Sequence, residues 1–132
     1  MSDPALIASA LLARVATLSV DSPALPIAYP DVPFTPPASG KYLEVSIFYN
    51  RPAWEGLAAG RMDQGLLQVT VVWPKGQGIP GPMRHAAEVI DHFPKGLALA
   101  NGVKVSRQPY AASPLLDDSD TRIPVTISWN AR

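Results

Sequence analysis

Three stretches of alternating side chains constrain the fold of this chain more than any other feature. Apolar residues occupy every second position in residues 43–49 and 67–73, and the same spacing returns in residues 123–129. A period of two places neighbouring side chains on opposite faces, so each stretch predicts a strand with one strongly apolar face. Pro124 lies inside the last stretch. Because proline cannot donate to a ladder, we expect that strand at a sheet edge or with a bulge.

Two amphipathic segments predict helices. Asp3-Pro4 is a typical N-cap followed by proline at the first helical position, and apolar residues recur at steps of three and four through residues 4–18. A second helix is predicted over residues 82–93. Its apolar face is expected to hold Met83, Ala86, Ala87, Ile90 and Phe93, and its solvent-facing side Arg84, His85, Glu88, Asp91 and His92. Further on, Asn101-Gly102 indicates a type I′ hairpin turn.

Proline is concentrated in one segment. Six of the 15 prolines lie between Pro23 and Pro37, so residues 23–40 suit neither a helix nor a central strand. Ala24 to Tyr29 is expected to form at most a short edge strand. The remainder is an extended segment, either a connector lying across the core or an arm reaching a neighbouring subunit. The fold class is therefore α+β: a mixed, mainly antiparallel sheet packed by two α-helices, with a proline-rich extended segment and a long β-hairpin loop.

The gap between the first two strands, Asn50 to Gly65, is longer than the two to five residues of an ordinary hairpin loop. It combines glycines with charges of both signs and a tryptophan, which suits recognition of a specific neighbour. We expect this loop to be mobile in the free chain and ordered on binding. The candidate interface residues are Arg51, Trp54, Glu55, Leu57, Arg61 and Asp63. Trp73 and Trp129, in phase with the apolar strand faces, are expected in the core.

The length and composition of the chain indicate one domain, 1–132, and exclude several functions. Eleven basic and eleven acidic side chains cancel, so no nucleic-acid recognition is predicted. The chain has no cysteine, which excludes disulfides, thiolate catalysis and cysteine-based metal sites. Its N-terminal apolar run is too short for a spanning helix, so no membrane partner is expected.

No catalytic, cofactor-binding or metal residues are predicted. Residues 76–81 match G-x-G-x-x-G, but Pro80 and Pro82 remove donors that a pyrophosphate needs. His85 and His92 are about 10 Å apart along a helix, too far to share one ion, even with Glu88 on the same face. The aspartates of the C-terminal loop are read as turn formers rather than as an acid/base pair; they are Asp117, Asp118 and Asp120.

Three motifs in order resemble the phage tail terminator-like family of siphophages and prophages. The central motif is residues 61–78, RMDQGLLQVTVVWPKGQG. It is preceded by the proline-rich residues 25–37 with Tyr42-Leu43, and followed by residues 92–96, HFPKG. Residues 79–82 depart from the family's more ordinary helix start.

The resemblance implies an α+β structural protein without enzymatic activity or cofactor. It implies a homo-oligomeric ring of six subunits that caps the tail tube protein, stops polymerisation and meets a head-completion or connector protein. Such a protein lies at the head-proximal end of the virion tail and assembles in the host bacterial cytoplasm. Two alternatives stay open: another head-tail connector of the same virion, or a small-molecule-binding domain.

Overall fold

A single mixed sheet forms the centre of the molecule. The computed structural model describes residues 3–20, 25–50, 53–54 and 61–131, with the backbone alone for residues 53, 54 and 61. In chain order the elements are α1 (Pro4–Ala16), β1 (Ile27–Ala28), β2 (Tyr42–Tyr49), β3 (Ala53–Trp54), β4 (Arg61–Pro74), α2 (Pro80–His92), β5 (Val103–Val105), β6 (Tyr110–Ala111), β7 (Leu115–Leu116) and β8 (Asp120–Ala131).

The strand order is β1-β2-β4-β8-β5, with β3 pairing on β4, and β6 and β7 pairing on β8. The β1–β2 pair is parallel and the other pairs are antiparallel. The predicted α+β class with a mainly antiparallel sheet is therefore confirmed. Neither of the described helices is long and apolar enough to cross a membrane.

The register places the odd-numbered residues of the three long strands on one face. Leu43 lies opposite Val71, which lies opposite Ile123. This face and both helices contribute to one buried cluster. The strand residues in it are Leu43, Val45, Leu67, Val69, Val71, Trp73, Ile123, Val125, Ile127 and Trp129. The alternation predicted the apolar face of each strand correctly, and Trp73 and Trp129 are in the core as expected.

Helix α1 begins as predicted, because an Asp3 carboxylate oxygen accepts a hydrogen bond from the Ala5 amide at 2.8 Å. It ends at Ala16, two residues before the predicted end. Its buried residues are Ile7, Ala10, Leu11 and Val15.

The predicted apolar face of α2 is partly wrong. The buried residues are Pro82, Ala86 and Val89, followed by Phe93 at the C-cap. Met83 is 37% exposed and Ala87 is also exposed. Apolar residues surround more than half of this helix, so their spacing alone does not fix which of them face the sheet.

The described part of the proline-rich segment lies against its own sheet, as a connector. Ile27 and Ala28 pair with Leu43 and Glu44, and the Phe34 ring lies 5.1 Å from the ring of Tyr42. The predicted short edge strand is thus confirmed in β1, whereas Ala24 lies outside the described residues.

The edge position predicted for the last strand is wrong, because β8 has β4 on one side and three short strands on the other. Pro124 is tolerated for a local reason. Its carbonyl accepts from the Ala112 amide, so its missing N–H faces the same side. There the chain leaves the ladder between β6, which ends at Ala111, and β7, which begins at Leu115.

Candidate interaction surface

The described residues of the predicted recognition loop continue the β2–β4 hairpin. The Asn50 amide donates to the Gln64 carbonyl at 2.9 Å, and β3 pairs with the first residues of β4. The prediction of a loop from Asn50 to Gly65 is therefore wrong in length. The pairing shifts from Tyr49↔Gly65 to Ala53↔Met62, which leaves one extra residue on the first strand, as in a β-bulge.

Two of the predicted interface residues are paired in the structure, and a third is buried. Trp54 and Arg61 are directly paired across the far end of the hairpin. Asp63 is only 7% exposed, so its carboxylate is not presented on the surface as an interface residue would require. The other three predicted residues, Arg51, Glu55 and Leu57, lie outside the described residues.

An aromatic pair supports the base of the hairpin. The rings of Tyr49 and Trp129 meet edge to face at 5.5 Å, and a Cβ added to Gly65 would lie 2.6 Å from the Trp129 indole. The Tyr49 hydroxyl donates to the Pro4 carbonyl at 2.8 Å, which ties the hairpin to the start of α1. Burial, assisted by the nearby charge of Asp3, raises the pKa of Tyr49. Nothing in the sequence beyond the strand phase indicates this cluster.

A cavity of about 440 Å³ lies at the same end of the sheet. It is lined by Asn50, Met62, Gln64, Gly65, Leu66, Ser106, Arg107, Ser128, Trp129 and Asn130. Arg107 is the one charged side chain among these residues; it is exposed and makes no ion pair with any described residue. Phe48, which pairs with Leu66, is 49% exposed beside this cavity. Four of the lining residues, Asn50, Met62, Gln64 and Gly65, belong to the predicted recognition loop, but none of the lining residues is among the predicted interface residues.

A second exposed surface lies at the other end of β8. Leu115 and Leu116 in β7 are 57% and 74% exposed, and exposed Asp117 and Asp118 follow them. The Asp117 amide donates to the Asp120 carbonyl at 3.0 Å, and Leu116 pairs with Thr121, so the chain turns through Asp117 and Asp118 as predicted. Asp120 instead lies in β8, where it pairs with the Arg122 guanidinium at 3.2 Å.

The prediction that both histidines face solvent is wrong. Each is partly buried and contacts neighbouring residues. His92 Nε2 lies 2.8 Å from the Thr17 hydroxyl and 3.2 Å from the Arg14 carbonyl. The Arg14 guanidinium donates twice to the His92 carbonyl, at 2.7 and 3.1 Å. Burial lowers the pKa of His92, the hydrogen bond to the Arg14 carbonyl raises it, and the Arg14 charge lowers it further; the net direction is down.

The other histidine is held beside the core. His85 Nδ1 lies 2.7 Å from a Glu88 carboxylate oxygen, and its ring lies 5.1 Å from that of Trp73. Among the described residues, no three histidine, aspartate or glutamate side chains cluster as a metal site would require.

Known proteins share the fold of this chain. A solved chain without a descriptive name is 29% identical, with a TM-score of 0.81 over 98% of this chain and 96% of that one. A chain from the virion of a native gene transfer agent particle shares the fold, with a TM-score of 0.61 at 16% identity over 97% of this chain and 94% of that one. No curated protein sequence matches. The model of the phage tail terminator protein family matches residues 6–129, so the chain belongs to that family and is a structural protein of phage tails.

Proposed function

We propose that this protein is the terminator of a tail tube: six copies form a ring on the finished end of the tube and stop its polymerisation. The observation that carries the proposal is the family match over residues 6–129. The shared fold of a chain from a gene transfer agent virion supports it. The role needs complementary surfaces and no turnover, and neither a cofactor nor a catalytic group is part of it.

The partners follow from this role. One face of the ring binds the tail tube protein, and the opposite face receives a head-completion or connector protein. The protein is therefore placed at the head-proximal end of the tail in the virion, after assembly in the host bacterial cytoplasm. Equal numbers of acidic and basic residues allow copies to approach without strong electrostatic repulsion.

The far end of the β2–β4 hairpin is the proposed tube-binding element. Trp54 and Arg61 occupy paired positions on adjacent strands there, and tryptophan and arginine are among the residues most enriched in interface hot spots. Arg51, Glu55 and Leu57 complete the proposed contact. The Tyr49–Trp129 pair at the base of the hairpin restricts its movement relative to the core.

The test is capping of tubes built from the tail tube protein of the same phage or prophage. Added during tube growth, the protein should shorten the tubes and leave rings at their ends, as seen by electron microscopy. Trp54→Ala combined with Arg61→Ala should abolish capping while thermal stability stays nearly unchanged. Met83→Ala, at an exposed position on α2, is the matched control and should cap normally.

Two results would contradict the proposal. Tubes that grow to the same length with or without the protein, and never carry rings, would remove the terminator function itself. Normal capping by the double variant would leave that function in place and exclude the hairpin end as the tube-binding element.

A further inference from the structure

The two exposed surfaces at opposite ends of β8 are chemically complementary. The first, here called the acidic edge, consists of residues 115–118: two leucines followed by two aspartates. The second, here called the polar cavity, is the 440 Å³ cavity with Arg107 and the neighbouring Phe48. Asp117, Asp118 and Arg107 are exposed, and none of them forms an ion pair with another described residue.

The apolar parts of the two surfaces match as well. Leu115 and Leu116 are the most exposed leucines among the described residues, and a solvated edge strand usually carries charged or small groups instead. On the cavity side, Leu66 and its strand neighbour Phe48 are apolar, and the rest of the lining is mainly polar, with Met62 and Trp129 as further apolar groups. Each surface thus combines apolar side chains with exposed charge. Asp117 and Asp118 are opposite in sign to Arg107, and Lys75 lines a small cavity together with Leu116 and Asp117.

A chain cannot bring its own acidic edge to its own polar cavity. Leu116 pairs with Thr121, and Val105, just before the cavity residues 106–107, pairs with Trp129. Eight residues of one extended strand separate these positions, about 26 Å at roughly 3.3 Å per residue. Because β8 is held along its length by β4, this distance is fixed by the fold.

We propose that the acidic edge of one copy docks in the polar cavity of the next. Asp117 or Asp118 would pair with Arg107, and the two leucines would pack against Phe48 and Leu66. A contact between two different surfaces of identical chains is heterologous, so repetition generates a ring when the rotation per copy closes. The inference rests on the proposed ring and identifies the surfaces that build it.

Charge reversal tests the pairing. Arg107→Asp alone, and Asp117→Arg with Asp118→Arg, each place like charges across the contact, and we expect each to weaken self-association by about tenfold or more. The triple variant, with all three changes in one chain, restores opposite charges in every contact of a ring and should recover self-association. Lys95→Asp, at an exposed position outside both surfaces, is the control and should associate like the unmodified chain. Mass-resolved chromatography over a range of concentrations, with ring counts on tube ends, gives the readout.

The outcomes separate this inference from the proposed function. If rings form and neither reversal weakens them, the pairing is wrong and the terminator function stands. If reversal abolishes tube binding but leaves self-association intact, the cavity binds the tube protein and the pairing is again wrong. If the unmodified chain never self-associates, even on tube ends, both the pairing and the ring are wrong.

Discussion

Trp129 lies so close to Gly65 that no side chain fits between the indole and the backbone of β4. A Cβ on Gly65 would be 2.6 Å from the ring and in closer conflict with the Phe48 carbonyl. The conflict with Phe48 involves backbone, which cannot rotate away as a flexible side chain can. The glycine therefore allows a large aromatic residue to cover the sheet where β2, β4 and β8 meet.

Gly65→Ala should destabilise the fold by about 2–4 kcal/mol, because overpacking a close contact displaces backbone or an aromatic ring. Gly81→Ala is the contrasting variant: its Cβ would meet only Trp73 at 3.9 Å, and alanine favours a helix more than glycine does. We expect Gly81→Ala to be neutral or to stabilise by up to about 1 kcal/mol. Urea unfolding of both variants measures the difference. Equal stabilities would contradict this account, because both the indole and the backbone at Phe48 would then have to move aside without cost.

The contact between His92 and Arg14 predicts a pH dependence of stability. The folded chain lowers the pKa of His92, mainly through burial, so the neutral imidazole is the form that the fold favours. An unfolded histidine titrates near about 6.5. The contribution of His92 is therefore fully present above that value and is lost as the pH falls towards the lower folded pKa.

His92→Gln should remove this contribution. The melting temperature of the unmodified chain minus that of the variant should be constant above about pH 7.5 and should decrease between pH 7 and pH 5. The comparison cancels the titration of the carboxylates that both chains share. His85→Gln keeps His92, so the melting temperature of this variant should retain the pH dependence that His92 causes. A difference that increases on acidification would mean that the folded state favours the charged imidazole.

The strand alternation predicted most of this fold, because a period of two directly states which side chains share a face. Leu43, Val69 and Ile127 were assigned to the buried face from spacing alone and lie there. The faces of α2 were less certain, because Val89 and Ile90 are both apolar and the sheet decides which is buried. Val89 is fully buried and Ile90 only partly.

The candidate surfaces were harder to predict, because they depend on which distant segments the sheet brings together. Nothing in the sequence near Arg107 or Leu66 indicates that they line one cavity, since the register of β8 against β4 creates it. The sequence predicts the hairpin but not its extension by β3, for a related reason. A register shift of one residue and a strand of only two residues leave no alternating pattern to detect.

Replacing Asn101 with glycine should lower the free energy of unfolding less than replacing it with alanine. Asn101 and Gly102 have φ of 59° and 76°, as the central residues of the predicted type I′ turn require. Alanine at position 101 should cost about 1–2 kcal/mol, because it strains this backbone and removes the hydrogen bond from Asn101 Nδ2 to the Leu6 carbonyl at 3.0 Å. Glycine loses the hydrogen bond alone. A higher melting temperature for Asn101→Ala than for Asn101→Gly would contradict this account.

The last prediction concerns the order of the β2–β4 hairpin in the free chain. Met62 is paired with Ala53, and residues 63–65 are paired with residues 129–131 of β8. Their amides should exchange with solvent at least about tenfold more slowly than in an unfolded chain, because a paired strand must open before exchange occurs. Residues 67–73 of the same strand are the internal control for full protection. Binding a tube then requires little ordering of this part, so its protection should change little on capping. Unfolded-like exchange at residues 62–65, followed by strong protection on tubes, would instead show that the hairpin forms only in the assembly.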